Sequence, residues 1–374
     1  MGMRLRAGGS GAAAVIGLVV LPWISCARGT TGQAAPSAGD GLAELERQRD
    51  EALARAKVWQ PPATPIAEAD LRGAGPSPFQ SSDRIDCRYQ LKITSGRTPK
   101  FHCVLADGRV IKVKYGWANA EPRTEPAATR LLSALGFGAD RMYIVKRVRC
   151  VGCPTYPHPD WGVLNALFTR AGDHVDFEDV SVEDPFPGRT IEAGDRLGWA
   201  WHEMDRVDPA RGGASRAELD ALRLVAVFLA DWDNKAANQR LVCLPGADLP
   251  DGGCRTPFAY LQDVGCTFGP RGLDLEAWRA TPIWADPSTC RVSMTSLPYR
   301  GATFRDVVIS EGGRRLLADE MKQLRPQQLS DLFTAAGFTD YVKSSEAGRN
   351  AENWVNAFED KVRQIADRPA CPEP

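Results

Sequence analysis

The chain has 374 residues, 43% hydrophobic and 25% charged, and 46 Lys and Arg stand against 47 Asp and Glu for a formal net charge of −1. That is globular composition, with enough apolar residues for one large or two modest cores. The balance argues against a nucleic-acid binder, which carries a basic excess, and no polybasic patch marks a membrane surface.

Residues 1–26 read as an export signal. Arg4 and Arg6 precede an apolar run from Ala12 to Leu21, and small residues follow; the run is short for a bilayer span. The ending "WISC" is similar to a bacterial lipobox, with Ser25 before Cys26, although Trp23 stands where leucine is usual. Lipid tethering through Cys26 and plain secretion therefore both stay open, and the expected location is the periplasm or outer envelope. Ten cysteines suit an exported chain. Without Cys26 an odd number remains, so at least one is unpaired. Cys87–Cys103 and Cys243–Cys254 are plausible pairs across adjacent strands. Cys150-x-x-Cys153, near His158, lacks the second ligand pair of a zinc site, so a disulfide or cross-pairing is expected.

Residues 27–80 read as a flexible tether, a charged helix over 41–59 with Leu42, Leu45 and Leu53 as a thin stripe, and a proline-rich linker. The folded domain is expected to begin near Ser81. Over 81–149 short apolar alternations mark strands around "SGRTP" and the hairpin signal Asp107-Gly108. In "RVIKVKYG" Ile111 and Val113 take one face, Lys112 and Lys114 the other. A helix follows, with Ala128, Leu131, Leu132 and Leu135 at helical spacing, Thr124 as its cap and Gly136 or Gly138 as its end. Residues 150–190 read as an irregular, cysteine-containing insertion or hinge. Residues 191–374 read as mainly helical, with one helix before residue 230 and others near 273–280, 312–324, 326–335 and 351–367.

The polar loop "ADWDNKAANQRL" carries Asp233-x-Lys235-x-x-Asn238, and "QDVGCTFG" places Asp263 and Gly265 after a predicted strand. Phosphoryl transfer needs such parts: an aspartate to orient an acceptor hydroxyl, an asparagine and a second aspartate for magnesium, and a lysine anchored by a glutamate for the phosphates. Lys235 could neutralise charge on the transferred group. Asp231, at the helix end, reads as solvated or capping.

These two loops resemble the atypical branches of the protein-kinase-like superfamily. "DVGCTFG" is similar to the Asp-x-Gly-x-x-Phe-Gly element of secretory-pathway casein kinases and the Asp-x-Gly of phosphatidylinositol kinases. "DWDNKAANQRL" resembles the catalytic loop of those families and of HipA-type bacterial kinases. The resemblance implies an α+β, two-lobed fold, with a small antiparallel-sheet lobe carrying one helix and a larger helical lobe. It also implies ATP and Mg2+ or Mn2+ as cofactors and a protein, lipid or sugar hydroxyl as acceptor. Asp233 matches the catalytic aspartate, Asn238 and Asp263 the metal ligands, Lys114 the phosphate-contacting lysine and Glu125 its partner. Lys112 and Glu121 are their rivals. Ser95, Gly96, Arg97 and Thr98, with Lys100 just after, occupy the place of the phosphate-covering loop. The chain departs from the pattern in lacking G-x-G-x-x-G, the His-Arg before the catalytic Asp, and Ala-Pro-Glu. A non-catalytic envelope binding module and an AMP-transferring enzyme are the alternative readings.

Overall fold

The computed structural model describes residues 38–73, 78–92, 96, 98–116, 118–158, 164, 173–270, 272–298 and 301–371. The expected signal, Cys26 and most of the tether lie outside these residues, as do Ser95 and Arg97. The fold is α+β. Five strands close a barrel in the order β1-β2-β3-β5-β4: β1 Arg84–Gln90, β2 Lys100–Val104, β3 Val110–Lys114, β4 Arg141–Val151 and β5 His174–Asp184. Helix α2, Glu121–Ala134, lies between β3 and β4. Phe101, Cys103, Ile111, Val113, Val145, Val148, Val180 and Val182 fill the barrel core, by period-two alternation except on β4, where pairing skips Lys146 between Val145 and Val148.

Two expectations need correction here. The barrel is not wholly antiparallel, because β1 pairs in parallel with β4. Parallel neighbours need a long crossover, and the connection between these two contains α2. Nor is 150–190 an irregular insertion throughout. Residues His174–Asp184 form β5, which pairs with both β3 and β4. Acidic residues at 176, 178, 179, 183 and 184 obscured its apolar positions Phe177, Val180 and Val182.

A larger core is built by helices α3 Arg216–Leu229, α4 Leu275–Ala280, α5 Glu311–Met321, α6 Pro326–Ala335 and α7 Ala351–Ala366. A three-stranded sheet joins it in the order β6-β7-β8: β6 Arg189–Thr190, β7 Gln239–Cys243 and β8 Pro257–Leu261. Strands β9 Arg291–Val292 and β10 Val307–Val308 pair separately. The apolar stripe of α2, Ala127, Ala128, Leu131, Leu132 and Leu135, joins this larger core, and the helix also lies against β4 and β5 of the barrel. Among the described residues no helix is long and apolar enough to cross a membrane.

The folded body begins well before Ser81. Helix α1, Ala38–Ala54, buries Leu53 while Leu42 and Leu45 are exposed, so the thin stripe is not one face. Ala56, Val58, Ile66 and Leu71 continue into the larger core. Arg49 is buried and reaches Glu203 at 2.9 Å and the Gly198 carbonyl at 2.7 Å. Lys57 lies beside β8, its N–H donating to Pro257 O at 2.9 Å and its carbonyl accepting from Ala259 N at 2.8 Å. The prolines here mark an extended, packed segment and not a free linker.

Cys87–Cys103 and Cys243–Cys254 are disulfides, as are Cys150–Cys153 and Cys290–Cys371, and Cys266 is a free thiol. Three of the four bridges close short local loops. Cys290–Cys371, at a sequence separation of 81, ties the segment after the last helix to the larger core.

A chain starting at residue 81 loses cooperative unfolding or melts far below one starting at residue 38, read by circular dichroism; equal melting temperatures would return 38–80 to a tether. A second prediction concerns His102, buried on β2 opposite Lys112 with Nδ1 unpartnered among the described residues. Burial, then the charges of Lys92 and Lys112, pull it down to about 4 from 6.5. A depressed histidine contributes stability that is present above its free value and lost as pH falls through its folded value. His102→Gln should therefore remove roughly 3 kcal/mol of the acid destabilisation seen between about pH 6.5 and 4 in urea titrations.

Candidate functional site

Helix α3 begins with a capping box, in which Ser215 Oγ accepts from Glu218 N and Glu218 accepts from Ser215 N. It ends when Ala230 turns left-handed, at φ 56°, and Asp231 N donates back to Ala226 O at 3.0 Å. The polar loop starts there. Asn234, fully buried, fixes it: Nδ2 donates to Asp231 O at 2.8 Å, and Oδ1 accepts from Thr303 N and Phe304 N at 3.0 and 2.9 Å. Asp233 Oδ2 accepts from Lys235 Nζ at 2.8 Å and Asn238 Nδ2 at 3.1 Å. Asn238 Nδ2 also bonds Asp233 O at 2.5 Å. The loop is a preformed turn and not a solvated one.

The pairing of β7 with β8 brings the second motif alongside. Gln239 faces Leu261 in register, and the N–H groups of Gln262 and Asp263 both donate to the Asn238 carbonyl, at 2.9 and 3.0 Å. Asp263 then meets Lys114. The lysine side chain has no exposed surface, and its Nζ lies 2.7 Å from Glu125, 3.1 Å from Asp263 Oδ1 and 3.4 Å from Glu121. Gly265 permits the approach: a Cβ there would sit 2.8 Å from Glu121 Cγ. Thr124 Oγ1 donates to Gly265 O at 2.6 Å, so it ties α2 to this loop and does not cap the helix, which starts at Glu121.

Lys114 and Lys112 are thus distinguished. Lys114 engages Glu125, while Lys112 pairs with Glu183 on β5. Glu121 also reaches Lys114, but Glu125 is closer and fully buried. Lys100 forms no ion pair among the described residues. Its ammonium lies close to Gly96, where an added Cβ would be 3.1 Å from Nζ.

Electrostatics follow from this geometry. Burial alone would raise the Asp263 carboxyl, but Lys114, Lys112 and Lys100 overcome it and hold it far below the ordinary range. Burial opposes the Lys114 charge, yet Asp263, Glu125 and Glu121 raise it well above a free lysine. Lys100 is lowered, by burial and then by Lys114. Burial pushes the Glu125 carboxyl up, against the pull of Lys114. Asp231 is not solvated as its helix-end position suggests. It is 2% exposed, and burial, then Asp233 and Asp263, push its carboxyl well above the usual range.

No family profile and no curated protein matches the sequence. Among solved structures, the proinflammatory kinase CtkA of Helicobacter pylori is similar, with 9% sequence identity and a TM-score of 0.41 over 76% of this chain and 97% of that chain. A likeness that remote transfers neither residue roles nor an activity.

Asp233, Lys235, Asn238, Asp263, Lys114 and Glu125 therefore lie in one connected network, with Lys100 and Gly96 at its side. Asn234, Thr124 and Glu183 are members that sequence reasoning did not assign. The signal for Asn234 was a second asparagine inside the polar loop; for Glu183 it was an acid ending an alternating strand. Among the described residues no three His, Cys, Asp or Glu side chains are placed to hold a metal by themselves. Among the described residues nothing donates to Asn238 Oδ1 or Asp263 Oδ2, so both could serve a hard cation that takes its remaining oxygens from phosphates and water.

Lys114→Met would leave Glu125 buried without its counter-charge, and the expected loss is about 3–5 kcal/mol in chemical denaturation. Adding Glu125→Leu should restore much of it. Additive losses in the double mutant would show that the two side chains do not act as a pair.

Proposed function

We propose that this chain is an exported, kinase-like phosphotransferase whose barrel with α2 forms a small lobe and whose helical body forms a large one. It would bind ATP with Mg2+ or Mn2+ at their junction and transfer phosphate to a hydroxyl. The observation that carries this reading is the buried Lys114–Glu125–Asp263 contact, joined through the Asn238 carbonyl to the loop bearing Asp233. A structural ion pair needs no such connection to a rigid polar loop.

Lys114, oriented by Glu125, would hold phosphate oxygens, and Lys100 beside Gly96 would add positive charge from β2. Asn238 Oδ1 and Asp263 would hold the metal, which when bound neutralises charge on the phosphates. Asp233 keeps Oδ2 on Lys235 and Asn238, leaving Oδ1 to accept the proton of the acceptor hydroxyl. Lys235 stands beside it, ready to balance charge on the transferred group. The four disulfides support an oxidising compartment, and with it the exported location.

The test is a thermal shift of the chain from residue 38 with disulfides intact. MgATP at a hundred times its Kd should stabilise wild type and Asp233→Ala by about 2.7 kcal/mol. Asp263→Ala should show no metal-dependent shift. Label from the γ-phosphate should reach an acceptor with wild type and not with Asp233→Ala. Transfer of α-phosphate label would replace kinase chemistry with AMP attachment, and no shift with any nucleotide–metal pair would leave a binding module.

A further inference from the structure

Helix α2 has a second polar face. At about 100° per residue, Arg130 lies roughly opposite Glu121 and Glu125, with Ser133 about 60° from Arg130. That face lines a cavity of 550 Å³ against residues 62–73 and the start of β4. Arg130 is 4% exposed, and its Nε and Nη1 are buried with no acceptor; it makes no hydrogen bond or ion pair among the described residues. Arg141 lines the same cavity. It holds Asp184 at 2.5 Å through Nη2, but its Nε is likewise buried and unpartnered among the described residues. Of the two acids lining the cavity, both exposed, Asp70 bonds Arg72; its charge also reaches Arg130, but with no hydrogen bond or ion pair to it among the described residues.

A buried guanidinium stays charged, and native structures rarely leave one without an acceptor. Here the cost is borne next to a space large enough for a small molecule. Burial pulls Arg130 down to about 10 against the opposing charge of Asp70, which still leaves it a cation at neutral pH. We propose that this cavity is a binding site for a small oxyanion, a phosphate or carboxylate group seated on Arg130 with Arg141 as a second donor. The planar guanidinium matches paired acceptor oxygens, and Ser133 and Thr64 supply neutral hydroxyls nearby. The site is separate from the Lys114 network and does not depend on the function proposed for it.

The test is titration of the chain from residue 38 with inorganic phosphate, and separately with succinate, at ionic strength held constant with sodium chloride. The expected result is a saturable rise in melting temperature with at least one of the two, kept in Asp263→Ala and lost in Arg130→Met. Retention in Asp263→Ala separates this site from the lysine-rich one. The side-chain ¹⁵Nε–¹H signal of Arg130 in the wild-type protein gives a readout that needs no substitution, and it should shift in step with the melting temperature. Phosphate alone, succinate alone or both would support the site and name its ligand class. An unmoved Arg130 signal with both anions, or a rise that survives Arg130→Met, overturns it.

Discussion

An ammonium group with no exposed surface must be matched by carboxylates held in place, and Lys114 imposes that requirement on three parts of the chain at once. Its partners come from α2 and from the loop after β8, while the lysine itself sits on β3. Removing the lysine would leave the buried Glu125 without its counter-charge in a poorly solvated place. The barrel, the helix and the β7–β8 pair are therefore held to one arrangement by electrostatics as well as by packing. Gly265 and Thr124 let the loop and the helix come close enough for it to be met.

The polar loop after α3 solves a different problem. A helix that is buried nearly throughout must release its chain into a polar site without leaving backbone groups unmatched. Ala230 does this in a left-handed conformation that carries a cost for a non-glycine residue, on the order of 1 kcal/mol. Asn234 then binds two segments with one side chain, which stops the loop from relaxing. Rigidity of this kind suits a site whose aspartate and asparagine must keep a fixed relation, since strain persists where the surroundings over-determine it.

Much of this was legible in the sequence. The strands β1 to β3, the stripe of α2 and the helices after 270 announced themselves by apolar period, because each buries one face. Lys114, Glu125, Asp233, Asn238 and Asp263 stood out because their residue types and spacing fit one chemistry. The start of the fold did not: prolines at 61, 62 and 65 break regular structure, and the buried residues between 53 and 71 follow no period. Strand β5 was hidden because acids alternate with its apolar positions and several face other charged strands, as Asp176 does Arg149. Cys290–Cys371 was out of reach for another reason. Nothing local to either cysteine points to a partner 81 residues away.

Helix α2 is where these strands of argument join. Its leucines join the larger core, yet the helix also lies against β4 and β5 of the barrel, so it touches both. Lys114 sits on β3, and Asp263 is tied to the loop bearing Asp233 through the Asn238 carbonyl. Glu125 and Asp263 thus hold one ammonium from two different elements, a helix and a loop. Close-packed groups do not shift without cost, so the arrangement that satisfies both carboxylates is the one in which the lysine, the aspartates and the asparagine form one site.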